Sequence, residues 1–514
     1  MSKRTCYRIF LAGLAIAGST LVWLATSTYG SGLSTDGARY LSTAESIAAG
    51  RGIIDYLGLP LVNWPPLYPI IIACSNLVTG LDVFVIGQIV NIIAFGVIIY
   101  LGGIFFERSL PGNWTFAILA SLVLASSLPI LEVSANIASD PLFLVAVLAF
   151  LLVAQNYGKT PTRAGWLWLA GIAIVSCFLR YAGLALVISG AAVVLFTWQK
   201  SLGKAFIESI SFGLLAGLPI AAWAFFHNLP ATGNILGAHR PSEPFGLFLV
   251  AVEKIVGWFV PESVLRLIPA LAIATLVAAL IIIRSKRSRW NSWLQRIQNS
   301  EILPTAIFFL VYAAMLVFAI SYSEHKIPGS QRIHAVILPA LLVLAAITAQ
   351  EFVPKLSATW RIVLLAIFGL WLLFPLYRIG IYVSASLHSG DVSYYNLYNT
   401  RSLRESDIVA ELLKTKFATD EKVYSNNEGA AWFYLRRQIY RLPRYNAETG
   451  EDLDTALQEF TGWPNPDETA TLIWFKRELD YKEEVPTPEQ MEGFIRLTPT
   501  FNGRNGNIYL MDVE

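Results

Sequence analysis

Long apolar runs separated by short polar segments fill the first 382 residues of the chain. A helix needs about 20 predominantly apolar residues to cross the hydrocarbon core of a bilayer. Eleven runs approach that length, at residues 8–26, 83–106, 114–133, 141–157, 165–182, 184–199, 205–226, 264–284, 302–321, 334–350 and 361–382. The pattern therefore predicts a polytopic α-helical membrane module of about 11 transmembrane helices over residues 1–382.

A further apolar run at residues 66–80 is short and is headed by Pro65-Pro66. Proline is tolerated at a helix start, where its missing N–H costs nothing. The run is predicted to be a re-entrant or interfacial helix, and a twelfth span is the competing interpretation. Basic residues concentrate on the cytoplasmic side of membrane proteins. With the N-terminus inside, eleven spans keep the basic cluster Arg284–Arg296 in the cytoplasm, whereas twelve would place it outside.

The C-terminal segment has shorter, mixed periodicities that indicate a small α/β domain over residues 383–514. Residues 406–417 have helical spacing with Ser406 as the N-cap. Residues 421–426 and 471–475 are predicted as strands, and 494–513 as a hairpin with an Asn/Gly-rich loop. An odd number of spans places this domain on the exterior, together with the loops at 27–69 and 227–263. The predicted location is the plasma (inner) membrane, with a cytoplasmic N-terminus and a periplasmic or extracellular tail.

Composition supports this division. The chain is 55% hydrophobic and 14% charged, with a mean hydropathy of +0.54, whereas soluble domains carry about 25% charged residues. Residues 391–514 contain 22 acidic and 14 basic residues, a net charge of −8, and the rest of the chain carries +10. No G-x-x-x-x-G-K-[ST] sequence is present, so ATP-driven transport is not encoded by a P-loop in this chain.

The exterior loop after the first span places a carboxylate, Asp36, beside an apolar wall. Asp36 begins a segment with helical spacing that also carries Arg39, Tyr40 and Glu45, typical of an amphipathic helix at a membrane surface. This placement indicates chemistry on a lipid-borne substrate, with the three companions as sugar- or acceptor-binding residues. The alternative is that Asp36 caps the helix. Both roles are compatible with one side chain.

Two further segments carry candidate residues near the exterior ends of spans. Trp64 and Tyr68 flank a rigid Pro-Pro turn, where they either contact a ligand or anchor the chain at the interface. Glu132 and Asp140 border a short turn at a depth where ionisable groups are costly and tend to be functional. Asp140 is equally interpretable as a helix cap. If Asp36 and Asp140 meet, they could share an acceptor or a divalent cation.

Basic residues complete the set of candidates. Arg180 interrupts a continuous apolar stretch, so it must face protein, water or an anion. Lys326 and Arg332 flank a Pro-Gly break predicted on the same side, and such cations suit a phosphate. The alternatives are a structural ion pair for Arg180 and headgroup contact for the others. In the second exterior loop, His239 and Arg240 are predicted to cover the acceptor.

These segments together resemble the GT-C membrane glycosyltransferases, in particular protein O-mannosyltransferases, lipid A aminoarabinose transferases and rhizobial lipopolysaccharide core transferases. The resemblance is carried by five segments in order: DGARY at residues 36–40, AESIAAGRG at 44–52, WPPLYP at 64–69, SDP at 139–141 and LRYAG at 179–183. It implies a polyprenyl-phosphate-sugar donor, transfer on the exterior face and Asp36 as catalytic base. It also implies a second acidic position at Asp140 or Glu132, with Tyr181 beside Arg180. A metal requirement is left open.

The predicted reaction moves a single sugar to a lipid, glycan or protein acceptor by an inverting single displacement. A lipid phosphate is already a good leaving group, so one base suffices, in contrast to the two carboxylates of glycosidases. Arg180, with Lys326 or Arg332, would stabilise the charge that grows on the departing phosphate. A transporter or flippase, or a ligase of lipid-linked glycans, is the alternative. No cofactor other than a divalent cation is indicated, and no nucleic-acid-binding surface.

Overall fold

The computed structural model describes residues 2–197, 201–233, 235, 244–261, 301–322, 330–393, 395–445, 452–466, 468–476 and 485–512. The helices before residue 262 are α1 (Lys3–Ala25), α2 (Thr35–Ala48), α3 (Leu67–Thr79), α4 (Val83–Ser109), α5 (Trp114–Ala125), α6 (Leu128–Ser134), α7 (Asp140–Lys159), α8 (Arg163–Leu179), α9 (Leu184–Thr197), α10 (Leu202–Trp223), α11 (Leu229–Thr232) and α12 (Pro244–Val256). Those between residues 300 and 390 are α13 (Leu303–Tyr322), α14 (Gln331–His334), α15 (Leu338–Phe352) and α16 (Ala358–Ser389).

The membrane character of the chain is confirmed by these helices. Within the described part, seven helices are long and apolar enough to span a bilayer, or eight if α5 and α6, bent by 46°, are one span. Three shorter apolar helices add to these: Leu67–Thr79, Arg163–Leu179 and Tyr181–Thr197. The predicted span at 264–284 lies outside the described residues, so the total of eleven and the sidedness stay predictions.

The outer surfaces of the long helices suit lipid rather than water. Phe206 and Ile207 on α10 are 56% and 68% exposed, and Ile362 and Leu370 on α16 are 67% and 69% exposed. Contiguous apolar surface of this kind is rare on soluble monomers and marks a membrane or a partner. The chain is therefore a multi-pass membrane protein.

Packing divides the chain into two compact units. The first, here the membrane unit, contains Met1–Ala25, Val62–Tyr68 and Ile89–Ser384. The second, here the loop–tail unit, contains Thr26–Leu61, Pro69–Gln88 and Ala385–Glu514. Most of the loop after α1 thus packs with the C-terminal segment, a grouping that hydropathy cannot reveal. The functional boundary at residue 382 stays a prediction.

The tail contains the predicted α/β domain. Its strands are β1 (Lys422–Ser425), β2 (Ala470–Phe475), β3 (Arg496–Asn502) and β4 (Gly506–Asp512). They form a sheet of order β1-β2-β4-β3, in which β1 and β2 are parallel and the other pairs antiparallel. The described helices of this segment are α17 (Arg401–Arg404), α18 (Asp407–Leu412), α19 (Glu428–Leu435), α20 (Leu453–Gln458) and α21 (Pro488–Met491). The sheet and the Ser406 cap of α18 confirm the sequence prediction, although α18 is shorter than expected.

Aromatic and charged contacts hold the loop–tail unit together. Helix α2 packs against α19, and the rings of Tyr56 and Trp432 stack with their centroids 5.8 Å apart. Arg436 follows α19 in a left-handed conformation with φ of 53°. Its guanidinium lies 2.9 Å from Glu45 and 3.6 Å from Asp82. An arginine in this conformation is uncommon, and the two carboxylates fix the position of its side chain.

Asp407 ties α18 to the turn between β3 and β4. Its carboxylate accepts hydrogen bonds from the backbone N–H groups of Arg504 and Asn505. Slight desolvation acts to raise its pKa, but these donors, with the Ile408 N–H, hold the pKa below the ordinary value. The carboxylate therefore stabilises the fold above pH 3.8, the ordinary value, and this contribution is lost as the pH falls through the lowered pKa.

Replacing Asp407 with asparagine (Asp407→Asn) should therefore weaken the hairpin at neutral pH by about 1 kcal/mol, since hydrogen bonds to a charged acceptor are replaced by weaker ones on an exposed site. Hydrogen exchange of the β4 amides, normalised to intrinsic rates, measures this. Protection should fall at pH 7, and the difference from wild type should narrow below pH 3.8. Equal protection at pH 7 would show that the contact does not stabilise the hairpin.

Candidate functional site

Asp36 lies in the first turn of α2, within the loop–tail unit. The N-cap is Ser34, whose side chain accepts a hydrogen bond from the Gly37 N–H at 3.2 Å. The capping role that the sequence allowed for Asp36 therefore belongs to Ser34. The Asp36 side chain is half-buried, and a negative charge in the first turn is favourable to the helix dipole. Its catalytic role stays a prediction, now without the cap as a competing function.

Arg39 is fixed by a carboxylate that sequence analysis did not single out. Its Nη1 donates to Oδ2 of Asp55 at 2.6 Å, and Asp55 is 5% exposed. The other Asp55 oxygen accepts from the backbone N–H groups of Leu57 and Leu59. Although burial acts to lower the pKa of Arg39, the nearby Tyr56 and Asp55 side chains raise it above its ordinary value. Arg39 is therefore a permanent, oriented cation on the same helix as Asp36.

The other two predicted residues of α2 are also held within the loop–tail unit. Glu45 pairs with Arg436 at 2.9 Å; burial raises the pKa of Glu45, and the Arg436 charge opposes that rise. Tyr40 is 1% exposed. Helix α2 ends at Ala48 with Ala49 as its C-cap, and the chain then turns at Gly50, whose φ of 72° suits glycine because it lacks a Cβ. The AESIAAGRG segment thus has a structural purpose, and the ligand-binding roles of Tyr40 and Glu45 stay predictions.

In the membrane unit, Arg180 and Asp140 form an ion pair. Arg180 Nη1 lies 2.7 Å from Asp140 Oδ2 and 3.4 Å from the Ser139 hydroxyl. The side chains are 17% and 4% exposed. Ser139 occupies the N-cap position of α7 and Asp140 begins the helix, so Asp140 is not the cap. The ion pair that sequence analysis weighed as an alternative for Arg180 is present, and it leaves Asp140 Oδ1 with no hydrogen-bond partner among the described residues.

Arg180 sits at a break between two apolar helices. It has extended backbone, with φ −153° and ψ 141°, after α8 and before the 3₁₀ turn Tyr181–Gly183. A Cβ on Gly183 would lie 2.4 Å from backbone atoms of Ser176 and Cys177. Only glycine allows this close approach. The LRYAG segment thereby turns the chain sharply enough to hold the guanidinium in place.

The chain that leads into the WPPLYP segment is fastened to this break. The Tyr181 hydroxyl donates to the Val62 carbonyl at 2.9 Å, and Asn228 Nδ2 donates to the Tyr181 hydroxyl at 2.9 Å. At the other end of the segment, the fully buried Tyr68 hydroxyl donates to Asn91 Oδ1 at 3.3 Å. Trp64 is half-buried between these two attachments. The LRYAG segment thus contacts the chain two residues before the WPPLYP segment.

Asn91 extends the network toward Asp140. Its Nδ2 donates to the Asn136 carbonyl at 2.6 Å, and Asn136 Nδ2 donates to the Glu132 carbonyl at 2.7 Å. Both asparagines are buried. Sequence analysis missed them, although a signal existed: Asn91 lies inside the apolar run of α4, where a polar side chain must find a partner. Tyr68, Asn91 and Asn136 thus form a chain of hydrogen bonds that ends on α6. Asn136 is four residues before Asp140 in the sequence.

Glu132 and Arg332 lie on helices in contact. Helix α14, which carries Arg332, packs against α6, which carries Glu132. Both side chains are half-buried. The structure therefore brings the helices of these two candidates together within the membrane unit. Lys326, His239 and Arg240 lie outside the described residues. The predicted convergence of Asp36 with Arg180 and Arg332 concerns two separate units and stays a prediction.

An apolar groove of about 570 Å³ lies between α1 and α4. Its walls include Ile16, Trp23 and Ile93, with the small residues Ala12, Ala15 and Gly96. Ile92 also lines it and is adjacent in sequence to Asn91. Among the described residues, no group of three or more His, Cys, Asp or Glu side chains could hold a metal ion. The divalent cation shared by Asp36 and Asp140 stays a prediction.

Comparison with known proteins identifies the fold of the chain. No protein-family model matches the chain, and no curated protein matches its sequence. Solved structures do match: ArnT from Cupriavidus metallidurans in the apo state aligns with a TM-score of 0.59 and 14% identity, covering 99% of this chain and 98% of ArnT. ArnT bound to undecaprenyl phosphate aligns with a TM-score of 0.54 and 14% identity, covering 97% of each chain. This chain has the GT-C fold.

A further solved structure is similar over most of the chain. The archaeal oligosaccharyltransferase AglB from Archaeoglobus fulgidus, in complex with an inhibitory peptide and a dolichol-phosphate, aligns with a TM-score of 0.50 and 10% identity. The match covers 92% of this chain and 70% of AglB. Because the sequence identities are only 10–14%, the structural likeness establishes the fold alone. It confirms the fold that the order of the five segments indicated.

Proposed function

We propose that the chain is a polyprenyl-phosphate-dependent glycosyltransferase that transfers a sugar to a lipid, glycan or protein acceptor on the exterior face of the membrane. The observation that carries the proposal is the structural likeness, along nearly the whole of both chains, to ArnT bound to undecaprenyl phosphate. Fold alone does not define activity, so the chemistry of the described residues must be compatible with it.

The Arg180–Asp140 pair is compatible with binding a lipid phosphate. A guanidinium presents several donors in a fixed plane, and Asp140 is bonded to only one of the Arg180 nitrogens. Both hydrogen bonds of the Arg180 side chain, to Asp140 and Ser139, use Nη1, so among the described residues Nε and Nη2 can donate to phosphate oxygens at this break between apolar helices. Asp140 orients the cation, while the guanidinium stabilises the charge that develops on the leaving phosphate. Arg332 and Lys326 would add to that stabilisation.

The apolar groove between α1 and α4 offers a place for an isoprenoid tail. Its walls are almost entirely hydrocarbon, and Ser19 on its edge donates to the Ile92 carbonyl, so few polar groups would be desolvated by a lipid. Asp36 would then act as general base on the acceptor hydroxyl or amine. Displacement in one step on the donor sugar would invert its anomeric centre.

The transfer of an oligosaccharide is the second candidate function, and the likeness to the oligosaccharyltransferase AglB favours it. Single-sugar transfer and oligosaccharide transfer differ only in the group carried by the lipid phosphate. The mass added to the acceptor separates them.

The full-length protein, reconstituted in liposomes with undecaprenyl-phosphate-linked sugars in the presence of an extract of surface glycans, tests the proposal. The expected result is release of undecaprenyl phosphate coupled to one defined mass increase on an acceptor. The same assay with EDTA tests the divalent cation. Movement of the intact donor between leaflets without bond cleavage would instead establish a transporter, and would overturn the proposal.

A further inference from the structure

Tyr312 is a buried tyrosine in the spanning helix α13, and sequence analysis did not single it out. It is 3% exposed, and its hydroxyl donates to the Ile333 carbonyl at 3.0 Å. A phenol in an apolar environment needs a hydrogen-bond partner. Many backbone carbonyls could accept the hydrogen bond of the Tyr312 hydroxyl. The carbonyl that does accept it shows which neighbouring segment this side chain holds.

The carbonyl belongs to the one-turn helix α14, between Arg332 and His334. A helix of four residues has few hydrogen bonds of its own and depends on neighbours for its position. The bond from Tyr312 ties the middle of this turn to the long, packed helix α13. Because Ile333 follows Arg332 directly, the bond also limits where the Arg332 backbone can lie.

The helix of Tyr312 also contacts the other half of the proposed phosphate site. Helix α13 packs against α7, the helix that begins at Asp140, and the charges of Arg180 and Asp140 act on the Tyr312 hydroxyl. Tyr312 thus lies on a helix that packs against α7, and its hydroxyl bonds the turn that carries Arg332. The membrane unit contains other buried tyrosines, such as Tyr7, but the structure ties Tyr7 to Gly103 and Ser121 instead.

We propose that Tyr312 is a positioning residue for the donor phosphate: it holds the Arg332 turn in register with the Arg180–Asp140 pair, so that two cations can bind one phosphate. This inference rests on the proposed function. Tyr312 does not touch the reacting atoms; it acts through Arg332. Loss of its hydroxyl should weaken binding of the phosphate-bearing donor and leave the acceptor unaffected.

The test compares Tyr312→Phe with the matched control Tyr7→Phe. Tyr7 is 4% exposed and its hydroxyl also donates to a backbone carbonyl at 3.0 Å, that of Gly103. Gly103 is twelve residues from Asn91 along α4, a distance of about 18 Å at 1.5 Å per residue. Both variants remove one buried hydroxyl from a spanning helix, so a loss of stability alone affects both.

Undecaprenyl phosphate binding and donor KM are the readouts. Tyr312→Phe is expected to raise the Kd and the donor KM about five- to tenfold, the effect of one lost hydrogen bond, with the acceptor KM unchanged. Tyr7→Phe is expected to leave all three values at wild-type level. A second variant, Tyr312→His, retains a ring N–H donor and should recover part of the affinity. If Tyr312→Phe matches Tyr7→Phe in every readout, the positioning role is refuted.

A double-mutant cycle with Arg332→Gln tests the route of the effect. If Tyr312 acts through Arg332, the Tyr312→Phe effect on Kd should shrink to less than twofold in the Arg332→Gln background. Effects that multiply independently would refute the coupling. Failure of the proposed function is recognised separately, since wild type would then neither bind undecaprenyl phosphate nor cleave any linked sugar.

Discussion

Replacing Asp36 with asparagine (Asp36→Asn) is expected to lower the rate of sugar transfer about 10²–10⁴-fold, the usual contribution of a general base. Asparagine has the shape of aspartate but cannot accept a proton from the acceptor. The helix itself should tolerate the change because Ser34, not Asp36, caps α2. Initial rates with the polyprenyl-phosphate-linked donor measure the loss, and binding of undecaprenyl phosphate should stay unchanged.

Asp82→Asn is the matched control for this experiment. Asp82 is an exposed carboxylate in the same loop–tail unit, where it accepts from the Phe84 N–H at 2.8 Å. It also lies 3.6 Å from Arg436, which keeps Glu45 at 2.9 Å as its nearer partner when Asp82 is replaced. Asparagine can keep that hydrogen bond through its carbonyl oxygen. Transfer by the control should remain within about twofold of wild type. Full activity in Asp36→Asn would remove Asp36 from the chemistry, and the acidic residue that acts as base would have to be sought at Asp140 or Glu132.

Breaking the Arg180–Asp140 pair should have the largest effect on both stability and transfer. Arg180→Met leaves the 4%-exposed Asp140 without its cation, and removing one partner of a buried ion pair costs about 3–5 kcal/mol. The change also removes the proposed phosphate ligand, which should lower the rate by a further factor of about 10²–10³. Thermal unfolding in detergent and initial transfer rates measure the two effects.

The double variant Arg180→Met/Asp140→Leu separates structure from function. Replacing both members of a buried pair by apolar residues is often neutral or stabilising, so the double variant should regain most of the stability that Arg180→Met loses. Transfer should not return with it, because the phosphate would still lack its guanidinium. Recovery of wild-type transfer in the double variant would show that the pair is purely structural, as one interpretation of the sequence allowed.

Residues of the site differ in how far the sequence could predict them. Arg180 was recognisable because a charge inside an apolar run demands a partner, but the partner itself, Asp140, is 40 residues away. The positions of the acidic residues along the sequence do not indicate which carboxylate Arg180 contacts. Asn91 carried the same kind of signal and could have been recognised. Asp55 and Tyr312 carried none, because an aspartate in a polar loop and a tyrosine in an apolar helix are both ordinary.

The sequence by itself determined the membrane class, the bounds of most helices, the strands of the tail and the order of segments that indicates the GT-C fold. It could do so because apolar length, 3.6- and two-residue periodicity, and capping residues act over short distances along the chain. Only the tertiary structure decided that Ser34 caps the helix of Asp36, that Arg180 pairs with Asp140, and that Arg39 and Glu45 are held within the loop–tail unit. Buried charges must be paired, and the residues that pair are far apart in the sequence. Tertiary packing determines which of them come close enough to interact.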